Sequence, residues 1–150
     1  MKHLAPYAML LMVFLTSTPG FSQVSSKPKQ FSSYPDVINC SVSELSRIFT
    51  SVAGDNLSLS FSDNFSFAGP VTSIITKYNK LQTANITSAV YNNSLFNISK
   101  RINDDNSITY VGRIINKAYF DGYILKQNSN GNYQLVKIET DQLIQDCKQQ

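Results

Sequence analysis

The feature that most constrains this chain is a change of period at Gly54. Before it, Val42, Leu45, Ile48, Phe49 and Val52 recur at helical spacing. After it, Leu57, Leu59 and Phe61 alternate with Ser58, Ser60 and Ser62, as expected of strands with one face on a core and one in water. Ser41 and Glu44 have the spacing of a capping box, so a helix is predicted over 42–53, with Gly54 ending it in the left-handed conformation. The alternation then predicts strands at 57–61, 65–78 with a break near Gly69-Pro70, 81–91, 95–100, 108–115, 122–126 and 133–138. Between them lie turn-forming clusters: Asp63-Asn64, Asn79-Lys80, Asn92-Asn93, 103–107 and 128–132. The last contains Asn130-Gly131, a dipeptide suited to tight hairpins. Such connections are too short for crossover helices, so neighbouring strands must be antiparallel. The expected fold is α+β: an N-terminal helix packed on an antiparallel meander of six to seven strands, with a small antiparallel β-barrel as the alternative. Thr140 can cap a final short helix whose face carries Leu143, Ile144 and Cys147, though an edge strand fits the same residues.

Upstream, Lys2 and His3 precede an apolar run from Leu4 to Leu15, and residues 16–22 turn small and polar. This is the layout of a secretory signal peptide, with Gly20 and Ser22 at the small-residue positions of a cut before Gln23. The run of about 12 residues falls short of the roughly 20 needed to span a membrane. No membrane span is expected in the mature chain. The expected organisation is a signal peptide at 1–22, a Ser-, Lys- and Pro-rich flexible leader at 23–36, and one domain at 37–150. The expected placement is secreted or periplasmic. The signal peptide, with its cut before Gln23, resembles those of Gram-negative bacteria, which leaves the six N-x-S/T sequons, Asn39 to Asn97, expected to be unused.

Cleavage also changes the chemistry, because His3 is the only histidine. Without it there is no Ser-His-Asp or Cys-His arrangement and no histidine-ligated metal site. Glycine patterns that cradle phosphate are absent, so no cofactor, metal site or catalytic residue is assigned and the protein is not expected to be an enzyme. A carboxylate pair of the glycosidase kind is the one catalytic arrangement the composition leaves open, drawn from Asp55, Asp63, Asp104, Asp105, Asp121, Glu139, Asp141 and Asp146. Most of these read as turn formers. Asp104-Asp105 reads as part of a hairpin turn rather than a calcium loop. Of the 13 Lys and Arg, Lys2 leaves with the signal, so twelve face ten acids without a dense basic cluster. Nucleic acid is not expected as a partner.

Cys40 and Cys147 are the only cysteines and bracket the domain, so in an oxidising compartment they are expected to pair. The densest aromatic and basic group is Tyr110, Arg113, Tyr119, Phe120 and Tyr123, of which Tyr110, Arg113, Tyr119 and Tyr123 are the candidate binding surface. Gly112, in mid-strand, marks a bulge or a close approach of another segment. The segments FSFAGPV, ITYVGRIIN, DGYIL, GNYQLVKI and LIQDC resemble small exported bacterial proteins, a resemblance that implies no activity and no site. The leading expectation is an exported, non-catalytic binding or interaction module, either inhibitor-like toward a protein partner or a binder of glycan. The alternative is a carrier of a small apolar ligand, held in a cavity lined by Phe61, Phe65, Phe67 and Ile75, with a carboxylate-dependent hydrolase behind both.

Overall fold

A computed structural model describes residues 27–140. The signal peptide, the cut before Gln23, the final helix and Cys147 lie outside the described residues. The elements in chain order are β1 (Val37–Cys40), α1 (Val42–Ile48), β2 (Asn56–Ser62), β3 (Phe65–Lys77), β4 (Leu81–Ser88), β5 (Ser94–Ile102), β6 (Ile108–Ile115), β7 (Asp121–Gln127) and β8 (Tyr133–Glu139). All pairings are antiparallel, and the strand order is β1-β8-β7-β6-β5-β4-β3-β2. The two edge strands approach one another without forming a ladder, so the sheet is nearly a closed barrel. An eight-stranded barrel has an interior just wide enough for side chains to fill.

The predicted meander is correct from β2 to β8, and the barrel alternative fits. Helix-first order and six to seven strands are corrected. β1 precedes the helix and pairs with β8, placing Ile38 opposite Leu135 and Cys40 opposite Tyr133. This makes eight strands and turns α1 into the connection between the two edges. Only four residues long, β1 alternates exposed and buried positions too briefly to stand out as a period.

The helix also ends earlier than predicted. Ser41 caps it by accepting from the Glu44 N–H, but the reciprocal half of the capping box is absent. Past Ile48, the Thr50 and Ser51 hydroxyls donate to the Arg47 and Ile48 carbonyls, and the Asp55 carboxylate takes the Val52 N–H. These short polar side chains offer the backbone a competing turn. Gly54, at φ +100°, belongs to that turn and donates to the Val71 carbonyl.

β2 presents a free edge, and α1 covers it. Ser60 N–H donates to Glu44, Arg47 donates to the Ser58 carbonyl, and Glu44 and Arg47 pair with each other at 3.0 Å. Side chains thus do for β2 what a ninth strand's backbone would do, which protects an edge that otherwise recruits other chains.

The predicted break at Gly69-Pro70 is absent. β3 runs through it and shifts register against β4 between Val71 and Ser73. A Cβ on Gly69 would lie 1.9 Å from the Thr87 carbonyl oxygen, and one on Gly122 would lie 2.4 Å from the Ile114 oxygen. These glycines sit where the sheet coils too tightly for a side chain. Gly112 is the same case, with its missing Cβ 2.8 Å from the Asn97 oxygen and the β5–β6 register unbroken there. Of the two expectations for Gly112, close approach holds and the bulge does not.

Residues 28–36 pack against the sheet, although the composition of 23–36 reads as a flexible leader. Phe31 is fully buried, with its ring 5.2 Å from Tyr123 and 5.3 Å from Tyr91. Both oxygens of the buried Asp121 carboxylate accept backbone N–H groups, from Gln30 at 2.6 Å and Phe31 at 2.8 Å. Tyr123 donates to the Pro35 carbonyl, Lys137 to that of Tyr34, and Phe120 N–H to that of Pro28. The segment is a strap over one mouth of the barrel. Ordered packing begins well before Val37, held by backbone bonds that composition does not register.

Candidate functional site

The interior is filled with rings. Phe61, Phe65 and Phe67 are all buried, and centroid separations of 5.7 Å for Phe67–Phe96, 6.1 Å for Phe61–Phe96 and 5.4 Å for Phe65–Tyr123 connect β3 with β5, β2 with β5 and β3 with β7, strands that are not neighbours in the sheet. Tilted and edge-on pairs of this kind add to the area they bury. Ile75, the fourth residue expected to line a cavity, is half exposed on the outside. The rings that were to surround a ligand instead pack on one another.

The candidate binding surface divides by strand parity. Tyr110 and Tyr123 face inward at 3% and 0% exposure, which corrects their placement on a surface. Tyr123 is hydrogen-bonded to the strap, and Tyr110 meets Tyr133 edge-on and approaches Phe49. Burial raises both phenols above the usual range, and the Asp121 charge raises Tyr123 further. Tyr119 is half-buried in the turn before β7, where its hydroxyl accepts from the Asn92 amide, and Phe120 beside it lies beneath Lys29. Only Arg113 is exposed.

Arg113 belongs to a different neighbourhood. Ladder partners share a face, so Ser73, Asn85, Asn97 and Arg113 form one row across β3 to β6, and Ile75, Thr83, Ser99 and Val111 form the next. The first row is internally bonded: Asn97 donates to Asn85 at 2.7 Å and Asn85 to Ser73 at 2.9 Å. In the second, Thr83 and Ser99 bond at 2.9 Å between Ile75 and Val111, which are 51% and 56% exposed. The result is an outer patch with fixed polar groups, two exposed aliphatic side chains and one cation. Residues 75, 83, 97 and 99 carry no sequence signal of binding; the alternation about Arg113 is the one cue that points to this face.

Several of the described acids have structural tasks. Asp121 holds the strap, Asp36 pairs with Lys137 at 2.9 Å, Glu139 lies 3.8 Å from Lys29, and Asp104 pairs with Lys80. Asp105 accepts from the Ser107 hydroxyl and N–H, which lowers its pKa and completes the turn predicted there. Among the described residues no three His, Cys, Asp or Glu converge as a metal site, and no helix is long and apolar enough to cross a membrane. Asp36, Asp121 and Glu139 do line one open cleft of about 500 Å³, together with Lys29, Val37 and Val136.

Cys40 is buried on β1, its thiol directed at the Ile38 carbonyl, and burial pushes its pKa up to about 12. The ionised form that attacks disulfides is therefore scarce at neutral pH. Its expected partner, Cys147, lies outside the described residues. Comparison with family models, curated proteins and solved structures finds no match to this chain.

Proposed function

We propose that the protein is an exported, non-catalytic interaction module that binds a macromolecular partner, protein or glycan, through the outer face of β3 to β6. The filled interior is the observation that carries this reading. With rings from β2, β3, β5 and β7 in contact across the interior, an apolar ligand has no ready place inside, and recognition falls to the exterior. The outer patch suits that role because its polar side chains are already held by one another and lose little freedom on binding. Ile75 and Val111 supply apolar area, and Arg113 supplies an anchor of the kind that concentrates binding energy. The engagement of Asp36, Asp121 and Glu139 in ion pairs and backbone bonds favours this reading over carboxylate catalysis.

The test is affinity recovery from the native secreted fraction with immobilised mature chain, run in parallel with Arg113→Glu and Val111→Lys. Both substitutions sit on exposed positions, and each variant's amide spectrum is compared with wild type before use. The expected result is a partner retained by the wild-type chain and lost by tenfold or more on either variant. Equal recovery on all three would overturn the assignment of the face, and extracted lipid without a macromolecular partner would restore the carrier.

A further inference from the structure

The outer face of β3 to β6 has a charge pattern that narrows its partner. The sequence has no Asp or Glu between Asp63 and Asp104, and none between Asp105 and Asp121, so these four strands carry Lys77, Lys100, Arg101 and Arg113 without an acid. Ladder pairing adds a third row to the face, Lys77, Leu81, Arg101 and Thr109, next to the row of Ile75, Thr83, Ser99 and Val111. Lys100 instead lies over the Phe49 ring. Lys77, Arg101 and Arg113 are exposed, and among the described residues none of the three enters an ion pair, whereas Lys29, Arg47, Lys80 and Lys137 each do. Asp104 and Asp105 lie in the β5–β6 turn beyond the third row, the first paired with Lys80 and the second bonded to Ser107.

On the reading that this outer face is the binding face, we propose that its partner is an acidic polysaccharide of the polyuronate kind, a sugar chain whose carboxylates are held by Lys77, Arg101 and Arg113. The middle of the face decides between classes of partner. Protein interfaces gather their energy at a dry, apolar centre. Here Ile75 and Val111 stand three strand spacings apart, about 14 Å, with the bonded Thr83–Ser99 pair between them and Asn85–Asn97 alongside. Half-buried hydroxyls and amides in that position match the hydroxyls of a sugar chain. The ladder also spaces the charges: Lys77 lies about 10 Å from Arg101, two strands away, and Arg101 about 14 Å from Arg113, one strand and two rows away. Cations so spread meet successive charges of an extended polymer rather than one compact anion, and each guanidinium fork can take a carboxylate through two bonds. Tyr78 extends the site. It is 91% exposed beside Lys77, at φ +56°, where a bulky side chain is uncommon and Asn or Gly would fit the turn at lower cost. Its ring offers a flat apolar face to a sugar.

The test titrates the mature chain by calorimetry with polygalacturonate, polyglutamate of matched charge, neutral dextran and vesicles of phosphatidylglycerol. Polygalacturonate should bind, more weakly as salt rises. The double variant Lys77→Gln, Arg101→Gln should lose about tenfold in affinity, the product of about threefold for each exposed charge. Lys117→Gln removes an exposed cation from the β6–β7 turn and should change affinity by less than about twofold. Dextran should not bind, and polyglutamate and the vesicles should bind at least tenfold more weakly than polygalacturonate. Equal affinity for polyglutamate would overturn the proposal in favour of an acidic protein, and equal affinity for the vesicles in favour of a lipid surface. An equal loss in Lys117→Gln would overturn it in favour of net charge alone. If polygalacturonate does not bind while Arg113→Glu still loses the partner recovered from the native secreted fraction, the polysaccharide falls and the face stands. If Arg113→Glu loses nothing either, both fall.

Discussion

Asp121→Asn should loosen the strap without rearranging the barrel. The carboxylate is 2% exposed and accepts from two adjacent N–H groups, one on each oxygen. The amide keeps one acceptor and turns an NH₂ group toward the other N–H. That removes one charge-assisted bond, about 1.5 to 3 kcal/mol, and leaves a buried donor unmet, about 1 to 3 kcal/mol. Part of this is offset because the amide is easier to bury than a carboxylate. A net loss of about 2 to 4 kcal/mol is expected. With a urea slope of about 2 kcal/mol/M, in the middle of the usual range for a small domain, the midpoint should fall by about 1 to 2 M. Hydrogen exchange should localise the effect, with the Gln30 and Phe31 amides exchanging faster while β4 and β5 stay protected. Tyr123 supplies an independent readout, because the Asp121 charge contributes to its raised pKa and spectrophotometric titration should find that phenol lower in the variant. A midpoint loss below about 0.3 M with unchanged exchange at residues 30 and 31 would refute the account of how the strap is held.

Three further outcomes are expected. Phe31→Ala should cost about 3 to 5 kcal/mol in chemical denaturation, since four rings lie against Phe31 and the strap has no ladder to carry it over the gap; a loss under 1 kcal/mol would mean the mouth closes without it. Gly69→Ala should prevent folding or destabilise by more than 2 kcal/mol, because the atom its Cβ meets is backbone rather than a side chain that could move; ordinary stability would show that the sheet does not bend there. Stability should also decline with alkaline pH: Cys40 is raised from 9.0 to about 12, so between those values the folded state binds more protons than the unfolded state and each step up in pH favours unfolding. Cys40→Ala should flatten that part of the denaturation profile, and an unchanged slope would exclude the thiol as its source.

The strands were legible because their signals are local. β6 matches its predicted bounds, and the positive φ angles at Asn79, Asn92, Asn93, Asn106 and Gly131 fall in the turn clusters chosen on composition. Parity could also have sorted the candidate site, since Tyr110 shares phase with the buried Ile114, whereas Arg113 shares it with Val111. Other features have no local signature. Closure of the sheet depends on β1 finding β8, and the burial of Phe31 depends on Asp121, ninety residues away. The polar rows on the outer face exist only once β3, β4 and β5 are in register, because their members are ordinary Ser, Thr and Asn when read singly.

The β1–β8 ladder also sets an order of assembly. Every other pairing in the sheet joins neighbours in sequence, so the hairpins from β2 to β8 can form one by one as local events. Asn39 and Gln134, hydrogen-bonded across the last pairing, are separated by 95 residues, and the entropy of closing so long a loop falls on the final step. Until then the chain is a curled sheet whose β8 edge is open and whose strap has lost part of its seat. If the chain is exported unfolded, as its first residues predict, that delay has a use: the β1–β8 ladder forms only after both of its strands have arrived on the same side.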